Sequence, residues 1–221
     1  SSTAGFCTVH SRITRRYIHF MQQETPVVVD SDAALTSALV QNPQNPAPQE
    51  ILDALQMIPV MYRGFDALVH KGQIVMHADV GDDVQSFFNL ALALDFPLHS
   101  VIPIGDPRYA WDDDASCAAN NSSGFNYRVI AASPNKLSKH AYGAAFDINP
   151  VQNIYVKYDE QLQIMFKAPV HGKYDERAAG TLTREHPLVQ HMKGLGWTWG
   201  GDWTPESGRT DYQHFEKDIL R

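Results

Sequence analysis

The spacing of apolar residues changes period repeatedly along this chain, and the changes do not follow the strand–helix–strand rhythm of a doubly wound sheet. Val84, Phe87, Phe88, Ala91, Leu92 and Leu94 recur at helical spacing and predict a helix over 84–94. A helical stretch over 32–40 ends in the Pro-rich segment 41–49, and Pro48 opens a second one over 50–57, with Ile51, Leu52, Leu55 and Ile58 on one face. Runs at 60–62 and 67–69 predict strands, with a hairpin turn at 70–73 and a return strand at 74–76. Further short strands are expected at 101–104, 129–132, 144–148 and 214–216, and a short helix over 187–193 ends at Gly194. Residues 112–123 read as a polar loop and 150–183 as irregular. Mixed helices and strands in this order predict an α+β fold.

Composition narrows the function classes. The chain has 221 residues, with 18 Lys and Arg against 25 Asp and Glu, a net charge of −7. It lacks the basic surface that phosphate backbones require, so nucleic acid is not an expected partner. Apolar residues make up 43% and charged residues 19%, enough for a packed core. No apolar stretch approaches the roughly 20 residues of a transmembrane segment. Two cysteines exclude a disulfide-dense scaffold, and Cys7 and Cys117 read equally as one disulfide or as two separate thiols. The chain begins Ser1-Ser2-Thr3 without the pattern of a signal peptide, as a processed or trimmed chain would.

Chemistry concentrates in two segments, Ser138-Lys139-His140-Ala141-Tyr142-Gly143-Ala144-Ala145-Phe146-Asp147 and Asp211-Tyr212-Gln213-His214. His140 and Asp147 are seven apart, too far for neighbours on a helix, but a turn at Tyr142-Gly143 leading into a strand would bring them together. Gly143, Ala144 and Ala145 leave room for close approach of backbone and ligand. Two imidazoles and a carboxylate would leave a fourth tetrahedral position for water, the open kind of zinc site. Asp211, three residues before His214, could face that water as general base. On spacing alone, His140 reads first as a polar residue at a turn, and His214 as a core histidine in a strand. The familiar HExxH, GxSxG, GxGxxG and Walker patterns are absent. His186 and His191 point to different helical faces and read as surface residues. Asp112-Asp113-Asp114 lacks the spaced oxygens and Gly of a calcium loop and reads as a solvated acidic loop. Trp197, Trp199 and Trp203 around Gly200-Gly201 read as a cleft wall or as core packing, with at least one expected in the core. Tyr142 and Tyr212 read as substrate contacts or as packing.

The ordered set Ser138-x-His140-x-x-Gly143-x-Ala145-x-Asp147, Gly196-Trp197-x-Trp199-Gly200-Gly201 and Asp211-x-x-His214-Phe215-Glu216 resembles the zinc peptidases that act on peptidoglycan stem peptides. These include D-alanyl-D-alanine carboxypeptidases, vancomycin-resistance dipeptidases, L-alanyl-D-glutamate endopeptidases and the peptidase domains of some phage endolysins. The resemblance covers roughly Val60 to the C-terminus and implies a zinc peptidase domain over 59–221, preceded by a partly helical extension over 1–58. It implies one zinc ion held by His140, Asp147 and His214, with Asp211 as catalytic acid/base. Asp stands here where the vancomycin-resistance dipeptidases have Glu, which weakens transfer of their dipeptide specificity. The segment Asn120-Asn121-x-Ser123-x-Phe125-Asn126-x-Arg128 looks like the one that supplies an Arg to the reacting carbonyl, implying Arg128. The implied fold is shared with the Hedgehog signalling domain: an antiparallel sheet and packed helices around a zinc cleft. The implied activity is D-alanyl-D-alanine carboxypeptidase-like hydrolysis of a stem peptide outside the cytoplasm, in the periplasm or cell wall. An L-alanyl-D-glutamate or cross-link endopeptidase and a non-catalytic zinc-binding module are the competing readings. Ser138 and Glu216 are near the ligands in sequence without an assigned role.

Overall fold

A computed structural model describes residues 26–34, 37–130 and 133–219. The architecture is mixed, with several small sheets and few helices. The largest sheet has four strands in the order β1-β3-β2-β4, formed by β1 (Val27–Val29), β2 (Leu55–Gly64), β3 (Val69–His77) and β4 (Pro97–Leu98). The β2–β3 pair is an antiparallel hairpin in continuous register from Leu55↔His77 to Arg63↔Val69. β1 and β4 flank it in parallel. A 2.7 Å contact from His70 Nδ1 to Asp30 helps hold the end of β1 against β3.

β2 buries Leu55, Ile58, Val60 and Tyr62. The helix Gly81–Ala93 packs across that strand with Val84, Phe87, Phe88 and Ala91 fully buried, one apolar stripe at helical spacing. Asp82 and Asp83 sit in its first turn, where carboxylates complement the helix dipole. A second helix, Pro187–Gly194, packs against the first through Leu188, Val189 and Met192.

The remaining strands are short: β5 (Ser100–Val101) pairs in parallel with β6 (Asn121–Ser122), and β7 (Val129–Ile130) is antiparallel to β8 (Ser133–Leu137). Two three-stranded antiparallel sheets complete the fold. One, in the order β12-β14-β9, joins β9 (Ala145–Asp147), β12 (Thr198–Trp199) and β14 (His214–Glu216). The other, β11-β10-β13, joins β10 (Tyr155–Tyr158), β11 (Ile164–Ala168) and β13 (Arg209–Asp211). Phe146 on β9 and Phe215 on β14 are register partners, stacked at 5.2 Å, and both meet Phe87 edge-on. Side chains alternate faces along a strand. With Phe146 and Phe215 turned into the core, Asp147 and His214 must face the other way.

Several expectations need correction. The β2–β3 turn falls at residues 65–68 rather than 70–73, closed by the Leu68 carbonyl accepting from the Gly64 N–H at 2.8 Å. Gly72 lies inside β3, paired with Val60, where a Cβ would stand 2.3 Å from the Val101 carbonyl oxygen. The helix expected over 50–57 is Gln49–Asp53, after which the chain enters β2. The antiparallel register with β3, which begins at Leu55↔His77, claims these residues as strand. Residues 112–123 are not a plain loop: Asp112 caps a helix, Asp113–Ala118, by accepting from the Ala115 N–H at 2.9 Å. The span 150–183 contains the β10–β11 hairpin, whose turn is organised by Asp159 Oδ1 accepting from the Gln161 and Gln163 N–H groups. Of the helix expected over 32–40, Ser37–Val40 is helical, and residues 35–36 lie outside the described residues. Cys7, with its pairing to Cys117, also lies outside them. Among the described residues, no helix is long and apolar enough to cross a membrane.

Candidate metal centre and active-site cleft

Ser138 starts the local geometry. Its Oγ accepts from the His140 N–H at 3.3 Å and caps a single 3-10 turn, Lys139–Tyr142. Gly143 ends that turn at φ 64°, a left-handed conformation that costs a side-chain-bearing residue strain. A Cβ at Gly143 would also lie 2.5 Å from the His77 backbone nitrogen. The turn therefore presses against the end of β3 and hands the chain directly into β9, which carries Asp147.

β14 supplies the third group. His214 is the cross-strand partner of Asp147, and His214 Nδ1 lies 3.0 Å from Asp147 Oδ1. His140 Nε2 lies 3.1 Å from His214 Nδ1 and 3.3 Å from Asp147 Oδ2. A tetrahedral zinc with bonds of about 2.0–2.1 Å places its ligand atoms about 3.3 Å apart, so three donors at these separations fit one ion.

The outer contacts orient both imidazoles. His140 Nδ1 is 2.7 Å from the Gly124 carbonyl, which only accepts, so Nδ1 carries the proton and Nε2 presents a lone pair. His214 Nε2 is 3.0 Å from Glu216 Oε2, which likewise assigns its proton to Nε2 and leaves Nδ1 for a cation. Without a cation, a second proton on the His214 ring takes that place. Burial alone would lower the His214 pKa, but its hydrogen bonds to Asp147 and Glu216 outweigh burial and raise it to about 10. Burial would likewise raise the Asp147 pKa. The charges and hydrogen bonds of His140 and His214 override it and hold the carboxyl well below the usual carboxylate range.

Asp211 ends β13 and lines the same cleft. Its buried Oδ1 has no hydrogen-bond partner among the described residues. Burial pushes the Asp211 carboxyl up to about 7, with the His214 and His140 imidazoles pulling it down and Asp147 pushing it further up. A carboxyl with a free oxygen and a pKa near neutrality can take and return a proton. Arg128 lines the cleft too, with Nε 3.0 Å from Asp113 Oδ2. Asp113 thus lies within ion-pairing distance of Arg128 while its side chain stays 46% exposed.

The tryptophans divide. Trp197 and Trp199 are core residues, and Trp203 walls the cleft with its ring 5.5 Å from that of His214. Gly200 and Gly201 serve packing: a Cβ on Gly200 would be 2.5 Å from the Asp211 carbonyl oxygen, and one on Gly201 would be 2.3 Å from the Trp199 ring. Tyr212 stacks on Tyr174 at 3.7 Å, outside the cleft lining. His186 caps the helix Pro187–Gly194, and His191 meets Ser86 at 2.8 Å, so both have structural contacts rather than free surface positions.

The cleft has a volume of about 610 Å³. Glu216, named from sequence without a role, lines it too, and it brings in Lys157 and Arg209 besides. For Glu216 the signal lay in the strand period, because a residue two beyond His214 shares its face. Lys157 carried none, since its segment read as irregular.

Residues 131–217 match the model of a protein family described as D-alanyl-D-alanine carboxypeptidase. No curated protein and no solved structure matches the chain. The matched span contains His140, Asp147, Asp211 and His214 and begins after Arg128. Over this segment the chain is similar to that family, which supports a relation to the zinc peptidases of peptidoglycan.

Proposed function

We propose that the protein is a zinc metallopeptidase that hydrolyses a peptide bond in the stem peptide of peptidoglycan, with D-alanyl-D-alanine carboxypeptidase-like action. The observation that carries this reading is the convergence of three donor atoms 3.0–3.3 Å apart beside a buried Asp211 oxygen without a partner. A metal-binding module without catalysis has no use for that second carboxyl.

His140, Asp147 and His214 would hold the zinc, with Gly124 and Glu216 keeping the two imidazoles in the ligating tautomer. Zinc in such a site polarises the substrate carbonyl and lowers the pKa of a water to about 7. Asp211 takes the proton of the attacking water at Oδ1 and returns it to the leaving amine. Trp203 excludes bulk water from one wall of the cleft. Arg128 adds positive charge near the oxygen on which negative charge develops, with Asp113 fixing its guanidinium. On this reading 59–221 form the peptidase domain, with the Hedgehog-type arrangement of sheet and helices around the cleft. Residues 1–58 extend it, and the protein works where its substrate lies, outside the cytoplasm.

The test is incubation of zinc-loaded protein with defined muropeptides and identification of the products by mass spectrometry. Release of a terminal D-alanine supports the proposal. Cleavage at an internal bond reassigns it to endopeptidase action, and an uncleaved panel with stoichiometric zinc overturns it.

A further inference from the structure

A carboxypeptidase must hold the free carboxylate of its substrate, and the sequence nominated no residue for that task. The β10–β13 ladder supplies a pair. Lys157 and Arg209 are direct cross-strand partners, two positions along the same ladder from the partners Tyr155 and Asp211. Two residues along a strand return to the same face, so the cationic pair and the acid/base carboxyl share one face of this sheet.

Like charges placed directly opposite in a ladder destabilise it; the Arg209 charge is felt by the Glu216 carboxylate across the cleft, but no direct ion pair is formed. Among the described residues, neither Lys157 nor Arg209 lies within ion-pairing distance of an acidic group. The Arg209 guanidinium instead lies over the Trp203 ring, 4.3 Å from its centroid, which holds the charge at the cleft wall. Both residues line the metal cleft and also an adjoining hollow of about 340 Å³, so they stand between the two. In a chain of net charge −7, two adjacent cations without a direct ion pair beside the reaction site favour an anionic ligand.

The position of the pair beside the acid/base carboxyl favours an anion next to the reacting bond. Two residues along a strand cover about 7 Å. A carboxylate one residue beyond a scissile carbonyl lies about 4 Å from it, and a charge-assisted hydrogen bond adds about 3 Å. The sum matches the offset between the Asp211 and Arg209 positions.

We propose that Lys157 and Arg209 form a carboxylate subsite that receives the free C-terminal carboxylate of the stem peptide, one residue beyond the bond cleaved. This deepens the peptidase reading and rests on it. It makes the enzyme selective for a terminal residue and disfavours internal bonds.

The experiment compares a peptide ending in D-Ala-D-Ala as the free acid with the same peptide as its C-terminal amide. Wild-type protein is expected to favour the acid in kcat/KM by about 10–100-fold, the worth of one or two hydrogen bonds to a charged group. The double variant Lys157→Gln/Arg209→Gln, with zinc content equal to wild type, is expected to lose that preference, and Lys157→Arg to keep it. Equal cleavage of acid and amide by the wild type, or a preference that survives in the double variant, overturns the subsite while leaving the peptidase reading intact. If neither peptide is cleaved, the peptidase reading fails, and binding decides the subsite through the fluorescence of Trp203. Tighter binding of the acid supports it, and equal binding overturns it.

Discussion

His214 and Asp147 are direct cross-strand partners on β14 and β9, and their Nδ1 and Oδ1 atoms stand 3.0 Å apart on the face opposite the Phe146–Phe215 stack. The same register that buries two phenylalanines therefore aligns two candidate metal ligands. The site is built into the core packing rather than suspended on loops, and the consequences are measurable.

Asp211→Asn removes the proton acceptor without touching the three donor atoms. Zinc content is expected to stay stoichiometric while kcat falls by about 10²–10⁴-fold, the usual worth of a positioned general base. Metal analysis beside a D-alanine release assay checks both halves. Turnover at the wild-type rate would remove Asp211 from the mechanism.

Glu216→Gln weakens the hold on His214 Nε2, which lies 3.0 Å from the Glu216 carboxylate. Loss of such an outer contact typically lowers metal affinity about 10–100-fold. Competition with a chromogenic chelator should show this shift, with the far-UV circular dichroism unchanged.

On the proposed reading, protons and zinc compete for His214. In the metal-free protein its pKa is raised to about 10 from 6.5, so near neutrality the ring is an imidazolium and zinc must displace its proton. Calorimetric titration at pH 7 in buffers of different ionisation enthalpy should detect proton release on binding. The raised pKa also stabilises the metal-free fold below pH 6.5, and that contribution is lost as pH rises through about 10. Asp147, whose pKa is depressed, contributes above the ordinary carboxylate range and loses its contribution under acid. Metal-free protein should thus melt at lower temperature as pH rises from 6.5 toward 10, while zinc-loaded protein should hold its melting temperature over the same window. A flat profile for the metal-free protein would contradict the His214–Asp147 pairing.

Gly143→Ala places a methyl group where φ is 64° and 2.5 Å from the His77 nitrogen. The left-handed conformation alone costs about 1–2 kcal/mol, and the contact with β3 adds to it. The turn carrying His140 must shift, so both the melting temperature and zinc affinity should fall. Ala144→Gly, one position on, serves as a control for loss of side-chain volume nearby.

The amino-acid sequence alone determined the parts that depend on local chemistry and period. The helix Gly81–Ala93 is written in the spacing of Val84, Phe87, Phe88 and Ala91, and β9 and β14 emerge where expected. The grouping of His140, Asp147, Asp211 and His214 was legible because an ordered set of residue types carries it. Tertiary structure decided the rest. Leu55 to Ile58 fits a helical stripe as well as a strand, and only the long register with β3 makes it strand. Gly72 reads as a turn residue until β5 is seen to pass against it. Lys157 and Arg209 are far apart in the chain and carry no motif, so only the antiparallel ladder makes them neighbours beside Asp211. Local period sets which face a residue can occupy, but strand pairing sets what lies opposite it, and pairing between distant segments leaves no mark within either one.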